Sequence, residues 1–390
     1  MAEHIEIPSG ALLGNWISDQ EPVEPSGSAA FCMEALSKLI NGDDVWLHNP
    51  ERKHSVLDFR PQNSASIFVA TGGTSGMPRF ARHTWGSMSA AVTGLQGVLG
   101  NDPIYSWCCL PIWHIAGWMQ VVRAIQTNGN VVFGDYHDLA DPQKDINLTG
   151  RLISLVPTQL HRLIFSDLAV SRLRGSRLIL LGGAPLREEL AEVVRSGDLP
   201  VAPTYGMTES AGAVTLLAPD RFLAGENSVG KVLPHTNLRL DEETGTLSIR
   251  AKSMCLGYES LDFSSGEWFE TSDLAEQTPE GDWRILGRLD RIVNTGGEKV
   301  NPVEVENAVI ETRLAAGCLT MGIPDPDWGE RLVAFCTPST TDVIRLEKTL
   351  QTKLTGVAIP KLILPVEELP INEMGKPDLL KARAVLEQRD

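Results

Sequence analysis

The sequence predicts an α/β protein of two domains: a large layered amino-terminal domain, with mostly parallel sheets plus a β-rich section, and a small mobile α+β carboxyl-terminal domain. From Ser66 onward, short runs rich in Val, Ile and Leu alternate with helical stretches, which is typical of buried parallel strands joined by helices. A β-rich pattern follows Thr215, and an α+β pattern closes the chain. We place the domain boundary at Asp290, which gives domains of residues 1–289 and 290–390.

The elements of the layered part each follow from their own apolar pattern. An amphipathic stretch near the amino end, "AAFCMEALSKLI", indicates a helix. The predicted buried strands are "SIFVA", "IYSWCCL", "NVVF", "LISLVP", "RLILLGG" and "LPVAPTYG". The predicted helices between them are "SMSAAVTGLQGVL", "PTQLHRLI" and "PLREELAEVVRS".

The β-rich section and the small domain are predicted in the same way. Strands are expected in "SVGKVL", "NLRLDEETGTLSIRA" and "DWRILGRL", and the Glu-Glu-Thr-Gly turn of the second indicates a hairpin. In the small domain, helices are expected in "NPVEVENAVIETRL", "DVIRLEKTLQTKL" and "PDLLKARAVLEQ". Its strands are expected in "AAGCLTMGI" and "RLVAFCT".

Composition excludes several classes of function. The 390 residues are 42% hydrophobic and 22% charged, as in ordinary globular proteins. The formal net charge of -16 repels nucleic acid and anionic lipid, so we expect no nucleic-acid partner. We also expect no stable membrane insertion, because no apolar run approaches the roughly 18 residues of a membrane span.

The cysteines and the first residues indicate a cytoplasmic protein. The six cysteines form no C-x-x-C pair and have no His at zinc-ligand spacing, so we expect reduced, mostly buried thiols. The segment "MAEHIEIPSG" is acidic and lacks the apolar core of a signal peptide. The oligomeric state is left open by the sequence, with a homo-oligomer as one alternative.

The segment "TGGTSGMPR" follows a predicted strand and precedes a predicted helix. Glycines allow successive amides to turn toward one ligand, while hydroxyls and Arg79 add donors and a positive charge, so the segment suits a phosphate group. Taken alone, it also fits a flexible surface loop. The segment is not a P-loop, because both "GK" pairs are followed by Val or Pro, and the chain contains neither G-x-G-x-x-G nor G-x-S-x-G.

This segment resembles the phosphate-binding signature T-S-G-T-T-G-x-P-K of the adenylate-forming enzymes, the superfamily of acyl-CoA ligases, luciferases and nonribosomal adenylation domains. Gly72 replaces Ser, Ser75 replaces Thr and Arg79 replaces Lys, and none of these changes removes the features that suit a phosphate, although Arg is planar where Lys is a point charge. The resemblance implies ATP as a substrate. The ATP-binding residues that it implies in this segment are Thr71, Gly72, Gly73, Thr74, Ser75, Gly76 and Arg79.

Further motifs of this family follow in order along the chain. "PTYGMTES" resembles Y-G-x-T-E, which implies that Tyr205 lies against adenine, Thr208 contacts the α-phosphate and Glu209 holds Mg²⁺. A carboxylate beside a triphosphate needs a hard cation between them. Gly206 and Met207 join the implied ATP site, with Gly206 also at the acyl substrate.

Two shorter motifs complete the implied nucleotide pocket. "LLGGAP" resembles the segment that walls the adenine, and its residues are Gly182, Gly183, Ala184 and Pro185. "EWFETSDLA" resembles the T-G-D motif, with Ser272 in place of Gly, and Asp273 can accept hydrogen bonds from two ribose hydroxyls. Each motif alone also fits an ordinary turn.

The segment "GRLDRIVNTGGEKVNPVEVE" matches the family over the longest stretch. The resemblance implies that Arg288 contacts ribose or phosphate, that Asp290 is the hinge, and that Gly296 and Gly297 line the path of the coenzyme A arm. "LPINEMGKPDLLKAR" resembles the last family motif, and it implies that Lys376 is the catalytic cation that acts at the junction of the two domains.

The segment "CLPIWHIAGWMQVVRAI" bears on the acyl substrate. With "LISLVPTQLHRLI", it is closest to the o-succinylbenzoate–CoA ligases, with Ala116 where Ser is common. The resemblance implies that His114 acts at the flap between the ATP and acyl pockets and that Arg123 faces the substrate. A second carboxylate on the substrate requires a partner such as an arginine, because burying an unpaired charge costs several kcal/mol of binding free energy.

We therefore expect an ATP- and Mg²⁺-dependent acid–CoA ligase that acts on o-succinylbenzoate in menaquinone or phylloquinone synthesis, with this small carboxylate, ATP and coenzyme A as its partners. Another aryl- or acyl-CoA ligase with an acidic substrate stays open as an alternative. A nucleotide- or acyl-binding relative that has lost catalysis is the alternative from a different class.

Overall fold

The structure is a computed structural model that describes residues 27–47, 65–71, 79–259, 261–264, 266–371 and 378–387. The chain divides into two compact units. The large unit comprises Met1–Arg239, Ile249–Phe269 and Gln277–Arg284, and the small unit comprises Leu240–Ser248, Glu270–Glu276 and Ile285–Asp390. The boundary at Asp290 stays a prediction.

The first half of the chain alternates strands with helices. Its elements are α1 (Gly27–Ile40), β1 (Val45–Leu47), β2 (Ile67–Thr71), β3 (Arg79–His83), α2 (Trp85–Leu99), β4 (Tyr105–Cys108), α3 (Ile115–Gln126), β5 (Asn130–Phe133), β6 (Leu152–Leu155), α4 (Pro157–Leu163), α5 (Asp167–Arg174), β7 (Leu178–Leu181), α6 (Glu188–Ser196), β8 (Val201–Met207), β9 (Gly212–Leu216) and α7 (Pro219–Leu223).

The second half begins with strands and ends in an α+β pattern. Its elements are β10 (Lys231–Val232), β11 (Thr236–Leu240), β12 (Thr246–Ala251), β13 (Gly257–Tyr258), β14 (Leu261–Asp262), β15 (Phe269–Gln277), β16 (Trp283–Arg288), β17 (Val293–Thr295), β18 (Glu298–Val300), α8 (Pro302–Glu311), β19 (Gly317–Asp325), β20 (Gly329–Thr337), α9 (Val343–Lys353), β21 (Leu362–Pro365) and α10 (Leu379–Glu387). The α/β class predicted from the sequence is confirmed.

The central sheet of the large unit has the order β10-β9-β8-β7-β6-β4-β5. Strands β4 to β8 pair in parallel, and β9 and β10 add antiparallel partners at one edge. The parallel strands are apolar because helices cover both faces of such a sheet: β6 and β7 are buried at every position. The carboxyl ends of parallel strands share one edge, and ligands bind at this edge in open α/β sheets.

The second sheet of the large unit has the order β1-β2-β3-β13-β14. Strand β1 pairs with β2 in parallel, whereas β2, β3, β13 and β14 are antiparallel to their neighbours. Its apolar side packs with α1, α2 and α3 in a core that includes Leu36, Ile67, Met88 and Trp118. The sheet therefore places the β2–β3 hairpin and β13 side by side.

The small unit is built around a sheet of order β18-β17-β20-β19, with β21 parallel to β20. One face packs on α8 and α9 through Val309, Leu346 and Leu350, and the other packs on α10 through Ala382. A further sheet, of order β11-β12-β15-β16, contributes strand segments to both units. Within the described ranges, no helix combines the length and the apolar character needed to cross a membrane.

Candidate active site

The candidate phosphate segment begins and ends in two paired strands. Thr71 ends β2 and pairs with Arg79, which begins β3, and the Thr71 hydroxyl donates to the Arg79 carbonyl at 3.1 Å. Strand β3 was not predicted, because sequence analysis took this segment to lead into a helix. The strand forms through pairing with β2 and β13, and four of its five residues are buried. The remaining predicted phosphate ligands, Gly72, Gly73, Thr74, Ser75 and Gly76, lie outside the described residues.

Arg79, the predicted phosphate cation, stacks on an aromatic ring. Its guanidinium carbon lies 4.5 Å from the ring centroid of Tyr258 on β13. The Tyr258 hydroxyl in turn donates to the Glu209 carboxylate at 2.8 Å. The pKa of Tyr258 is held well above its usual value, mainly by burial and next by the negative charge of the Glu209 carboxylate. This hydroxyl therefore stays protonated as a donor. Sequence analysis missed Tyr258, since its link to Glu209 spans 49 residues.

Thr208 and Glu209 lie in the short connection from β8 to β9. The Ser210 hydroxyl closes this connection, donating to the Gly212 carbonyl at 2.7 Å. A Cβ added at Gly206 would lie 2.1 Å from the Gly212 carbonyl oxygen, so only glycine fits there. Ala211 has a positive φ of 55°. The predicted motif therefore forms a turn with a fixed shape at the end of β8.

Glu209 is the predicted magnesium ligand, and its surroundings fit that role. Its side chain is 6% exposed, and the Tyr258 hydroxyl engages one carboxylate oxygen, Oε1. In the part of the chain that the structure describes, no group of three or more His, Cys, Asp or Glu residues could hold a metal alone. Mg²⁺ binds through one or two carboxylates together with substrate phosphates, so phosphate oxygens would have to complete the coordination.

His83, at the end of β3, is a second residue that sequence analysis missed. Its ring is completely buried, with Nε2 2.8 Å from the Thr208 carbonyl oxygen and Nδ1 3.1 Å from the Ser87 hydroxyl. Burial lowers the pKa of His83 to about 4, so the ring is neutral at pH 7. A lone histidine carries no spacing signal in the sequence by which it could have been found.

The predicted adenine wall follows β7, beside the strand that carries Tyr205. Gly182 directly follows β7, and a Cβ there would lie 2.7 Å from the Thr204 hydroxyl. Gly183 has a positive φ of 83°, and Ala184 and Pro185 continue the turn. Because β7 and β8 are parallel neighbours, this segment and Tyr205, Gly206 and Met207 emerge at the same edge of the sheet.

The predicted acyl-site residues begin at the same edge, after β4. His114 precedes the first residue of α3 in an extended conformation, with φ of -100° and ψ of 149°. Further along α3, Arg123 is buried, and its Nη1 has no hydrogen-bond partner among the described residues. Burial lowers the pKa of Arg123 to about 10, so the guanidinium is still charged at pH 7.

In the small unit, the predicted ribose and hinge residues form one ion-pair network. Arg288 donates from Nη1 to Asp273 at 3.1 Å, and from Nε and Nη2 to the two oxygens of Asp290 at 2.8 and 2.6 Å. Asp273 is 8% exposed on β15, and Asp290 lies in a 3₁₀ turn, Leu289–Arg291. The family resemblance implies separate roles for these three residues, and the structure shows that their side chains are hydrogen-bonded to one another.

Gly296 and Gly297 form the turn between β17 and β18, both with positive φ, of 59° and 84°. A Cβ on Gly296 would lie 2.9 Å from the ring of Trp328, and the Gly296 amide donates to the Trp328 carbonyl at 2.9 Å. Nothing lies within 4 Å of a Cβ on Gly297. Lys376, the predicted catalytic cation, lies outside the described residues.

Two families of known proteins and several individual relatives match this chain. The AMP-binding enzyme family matches residues 18–259, and the AMP-binding enzyme C-terminal domain matches residues 304–376. A 2-succinylbenzoate–CoA ligase of Listeria monocytogenes is 29% identical over 337 residues, which are 83% of this chain and 70% of the relative. The ligase of the same name from Lactococcus lactis is 30% identical over 350 residues, which are 88% of this chain and 76% of the relative.

A solved structure confirms the fold. It is the o-succinylbenzoate CoA synthetase MenE from Bacillus subtilis in complex with the acyl-adenylate intermediate OSB-AMP. The TM-score is 0.68 at 24% identity, with 80% of this chain and 67% of that chain covered. Since the family match spans more than half of the residues, this chain belongs to the AMP-binding enzyme family.

Proposed function

We propose that this chain is an ATP-dependent acid–CoA ligase that converts o-succinylbenzoate to o-succinylbenzoyl-CoA, the activity named by its curated relatives. The observation that carries the choice of acid is Arg123, a buried cation with one nitrogen left without a partner among the described residues. Leaving a buried donor unsatisfied costs about 1–3 kcal/mol, and more for a charged group. A substrate carboxylate would remove that cost.

The first half-reaction joins the acid to AMP. The aliphatic carboxylate attacks the α-phosphorus of ATP, pyrophosphate leaves, and an acyl-adenylate remains. Charge builds up on the α-phosphate oxygens, and the groups assigned to stabilise it are Thr208, the amides of the β2–β3 turn and Lys376. When bound at Glu209, Mg²⁺ supplies positive charge to the phosphate oxygens.

The second half-reaction transfers the acyl group. The coenzyme A thiol attacks the carbonyl carbon of the mixed anhydride, the bond to the phosphate oxygen breaks, and AMP leaves. Gly296 and Gly297 are assigned to the path of the thiol arm, and the open space beside Gly297 permits close approach to the backbone there. A cytoplasmic location stays a prediction, and the oligomeric state stays open.

Arg123 argues for a dicarboxylic acid over a simple fatty or benzoic acid. Only the aliphatic carboxylate of o-succinylbenzoate is activated, so the aromatic carboxylate needs its own partner. A monocarboxylic acid would leave Arg123 unpaired in a buried position. Another ligase for an acidic substrate shares this feature and is the main competitor.

The deciding experiment incubates the purified protein with ATP, Mg²⁺, coenzyme A and o-succinylbenzoate, and follows AMP and the thioester. A panel of aryl, acyl and dicarboxylic acids is compared by pyrophosphate release. We expect o-succinylbenzoate to give the highest kcat/KM. A higher value for another acid would overturn the substrate assignment, and no ATP–pyrophosphate exchange with any acid would indicate a non-catalytic relative.

Replacing the predicted catalytic cation tests the assigned chemistry. Lys376→Ala is expected to lower the rate of adenylation by at least about 10²–10³-fold, the usual effect of losing one preorganised donor to a developing negative charge. Lys381→Ala is the matched control, because Lys381 is an exposed lysine of α10 that donates to the Ile371 carbonyl. Equal rates for the two variants would remove Lys376 from the mechanism.

A further inference from the structure

Two strands of one sheet hold the turn that carries Thr208 and Glu209. From β3, His83 Nε2 lies 2.8 Å from the Thr208 carbonyl oxygen. From β13, the Tyr258 hydroxyl donates to the Glu209 carboxylate. Strands β3 and β13 pair directly, with Tyr258 opposite Ala81. The strand that leaves the phosphate turn is therefore the same strand that reaches Thr208.

The hydrogen bonds of His83 determine its tautomer. A carbonyl oxygen only accepts, so Nε2 must carry the hydrogen that is donated to Thr208. In a neutral ring, Nδ1 is then an acceptor, and it lies 3.1 Å from the Ser87 hydroxyl, whose one hydrogen is shared with the Thr84 carbonyl at 2.9 Å. Ser87 is itself fixed at the start of α2, where its hydroxyl accepts from the Thr84 amide at 3.2 Å.

The turn that carries Thr208 and Glu209 lies outside the strands, and the Cys255 amide donates to the Glu209 carbonyl at 2.7 Å. His83 is the contact from another element that reaches the Thr208 carbonyl. The Ala211 amide also donates to it, at 3.1 Å, but Ala211 belongs to the same short connection and cannot relate the turn to other elements. His83 supplies a link over 125 residues, from inside a completely buried position. Sub-ångström placement of a reacting contact requires side chains whose own positions are locked by their neighbours.

We propose that His83 is a positioning residue for ATP: its Nε2–H fixes the Thr208 carbonyl and thereby holds the Thr208 hydroxyl in place. The inference rests on the proposed function for its assignment of Thr208 to the α-phosphate. His83 itself does not touch the nucleotide. It acts through the main chain of Thr208, with Ser87 holding the ring from behind.

Two amide variants separate this role from simple packing. In His83→Gln the side-chain amide reaches about as far as Nε2 and keeps the donor to Thr208. In His83→Asn the side-chain amide reaches only as far as Nδ1 does. This variant therefore keeps the contact with the Ser87 hydroxyl and loses the hydrogen bond to the Thr208 carbonyl. Thermal unfolding of both variants establishes whether they are equally folded, and His83→Leu adds a variant that has no donor.

The readouts are the ATP dissociation constant from calorimetry and kcat for ATP–pyrophosphate exchange. We expect His83→Gln to stay within about threefold of the natural protein, and His83→Asn and His83→Leu to lose about 10- to 100-fold in kcat with about tenfold weaker ATP binding. The rescue by Gln is the signature of positioning. Equal values for Gln and Asn, or losses that follow the unfolding temperature, would overturn the inference.

Failure of the proposed function would look different. A natural protein that binds ATP but adenylates no acid removes the ligase assignment, and the ATP affinities of the Gln and Asn variants still decide the role of His83. A natural protein that does not bind ATP overturns both.

Discussion

Arg123 illustrates how a single buried charge can define a substrate. Its side chain is 7% exposed, and on the same helix the Oε1 atom of Gln120 likewise has no partner among the described residues. A cation and an amide oxygen left unsatisfied three residues apart weaken the folded state. Natural proteins tolerate such positions where function requires them.

Replacing Arg123 with an apolar residue of similar length should therefore change stability and activity in opposite directions. Arg123→Met is expected to keep or raise the unfolding temperature, because an unpaired buried charge is removed. Its kcat/KM for o-succinylbenzoate should fall about 10- to 100-fold, the range for a lost charged hydrogen bond. Thermal unfolding and steady-state assays measure the two effects.

An analogue that lacks the aromatic carboxylate is the control for this prediction. For that acid, Arg123→Met should match or exceed the natural protein in kcat/KM. An equal loss for both acids would mean that Arg123 supports the fold of α3 and does not bind the second carboxylate.

At the scale of elements, the position of the site in the large unit is determined by the strands whose ends are neighbours in the sheet. The turns after β4, β7 and β8 emerge at one edge of the parallel sheet, and β3 and β13 fix the turn after β8 through side chains. In the small unit, β15 and β16 bring Asp273 and Arg288 together, and the next turn adds Asp290. Thr208, Glu209 and the predicted adenine wall therefore lie where a strand of the parallel sheet ends.

The predicted hinge can be tested in the turn that contains Asp290. Asp290→Pro restricts φ at this residue and the backbone of Leu289 before it. We expect adenylation, measured by pyrophosphate exchange, to stay within about threefold, while thioester formation falls more than tenfold because the predicted rotation follows adenylation.

The proline variant also removes the carboxylate that binds Arg288, so Asp290→Ala is its matched control. Asp290→Ala keeps backbone freedom and should retain thioester formation. Equal loss of both half-reactions in Asp290→Pro, or equal behaviour of the two variants, would count against the hinge.

At the scale of the whole molecule, two buried histidines make the free energy of unfolding depend on pH. Burial lowers the pKa values of both His83 and His235 to about 4. The His235 ring packs so closely on α2 that a Cβ at Gly94 would lie 1.8 Å from its Nδ1. Both rings must become charged when the chain unfolds in mild acid.

Stability should therefore fall as the pH is lowered from about 6.5 to about 4. In this window the unfolded chain binds a proton at each histidine and the folded chain does not, so acid favours unfolding by about 1.4 kcal/mol per pH unit for each ring. Chemical denaturation across this range measures the slope. His83→Gln should have a slope smaller by about that amount, and parallel curves for the two proteins would contradict the assignment.

Local sequence patterns were sufficient to predict the strands and helices whose buried positions follow a regular apolar pattern within one segment. The run that became β7 is apolar at every position, and α9 shows its helical period before any partner is known. Motif order predicted the family, because the spacing of Thr208, Asp273 and Lys376 reflects one shared fold. The roles of the individual residues stay predictions.

The sequence by itself determined the α/β class, the family and the residue types that a triphosphate requires. Only the tertiary structure decided that β3 is a strand, that His83 holds Thr208 and that Tyr258 holds Glu209. It alone also shows that Arg123 Nη1 has no hydrogen-bond partner within the described ranges. These features depend on pairing and burial between segments that are distant along the chain. Local periodicity carries no information about such partners, whose contacts form only when the sheets assemble.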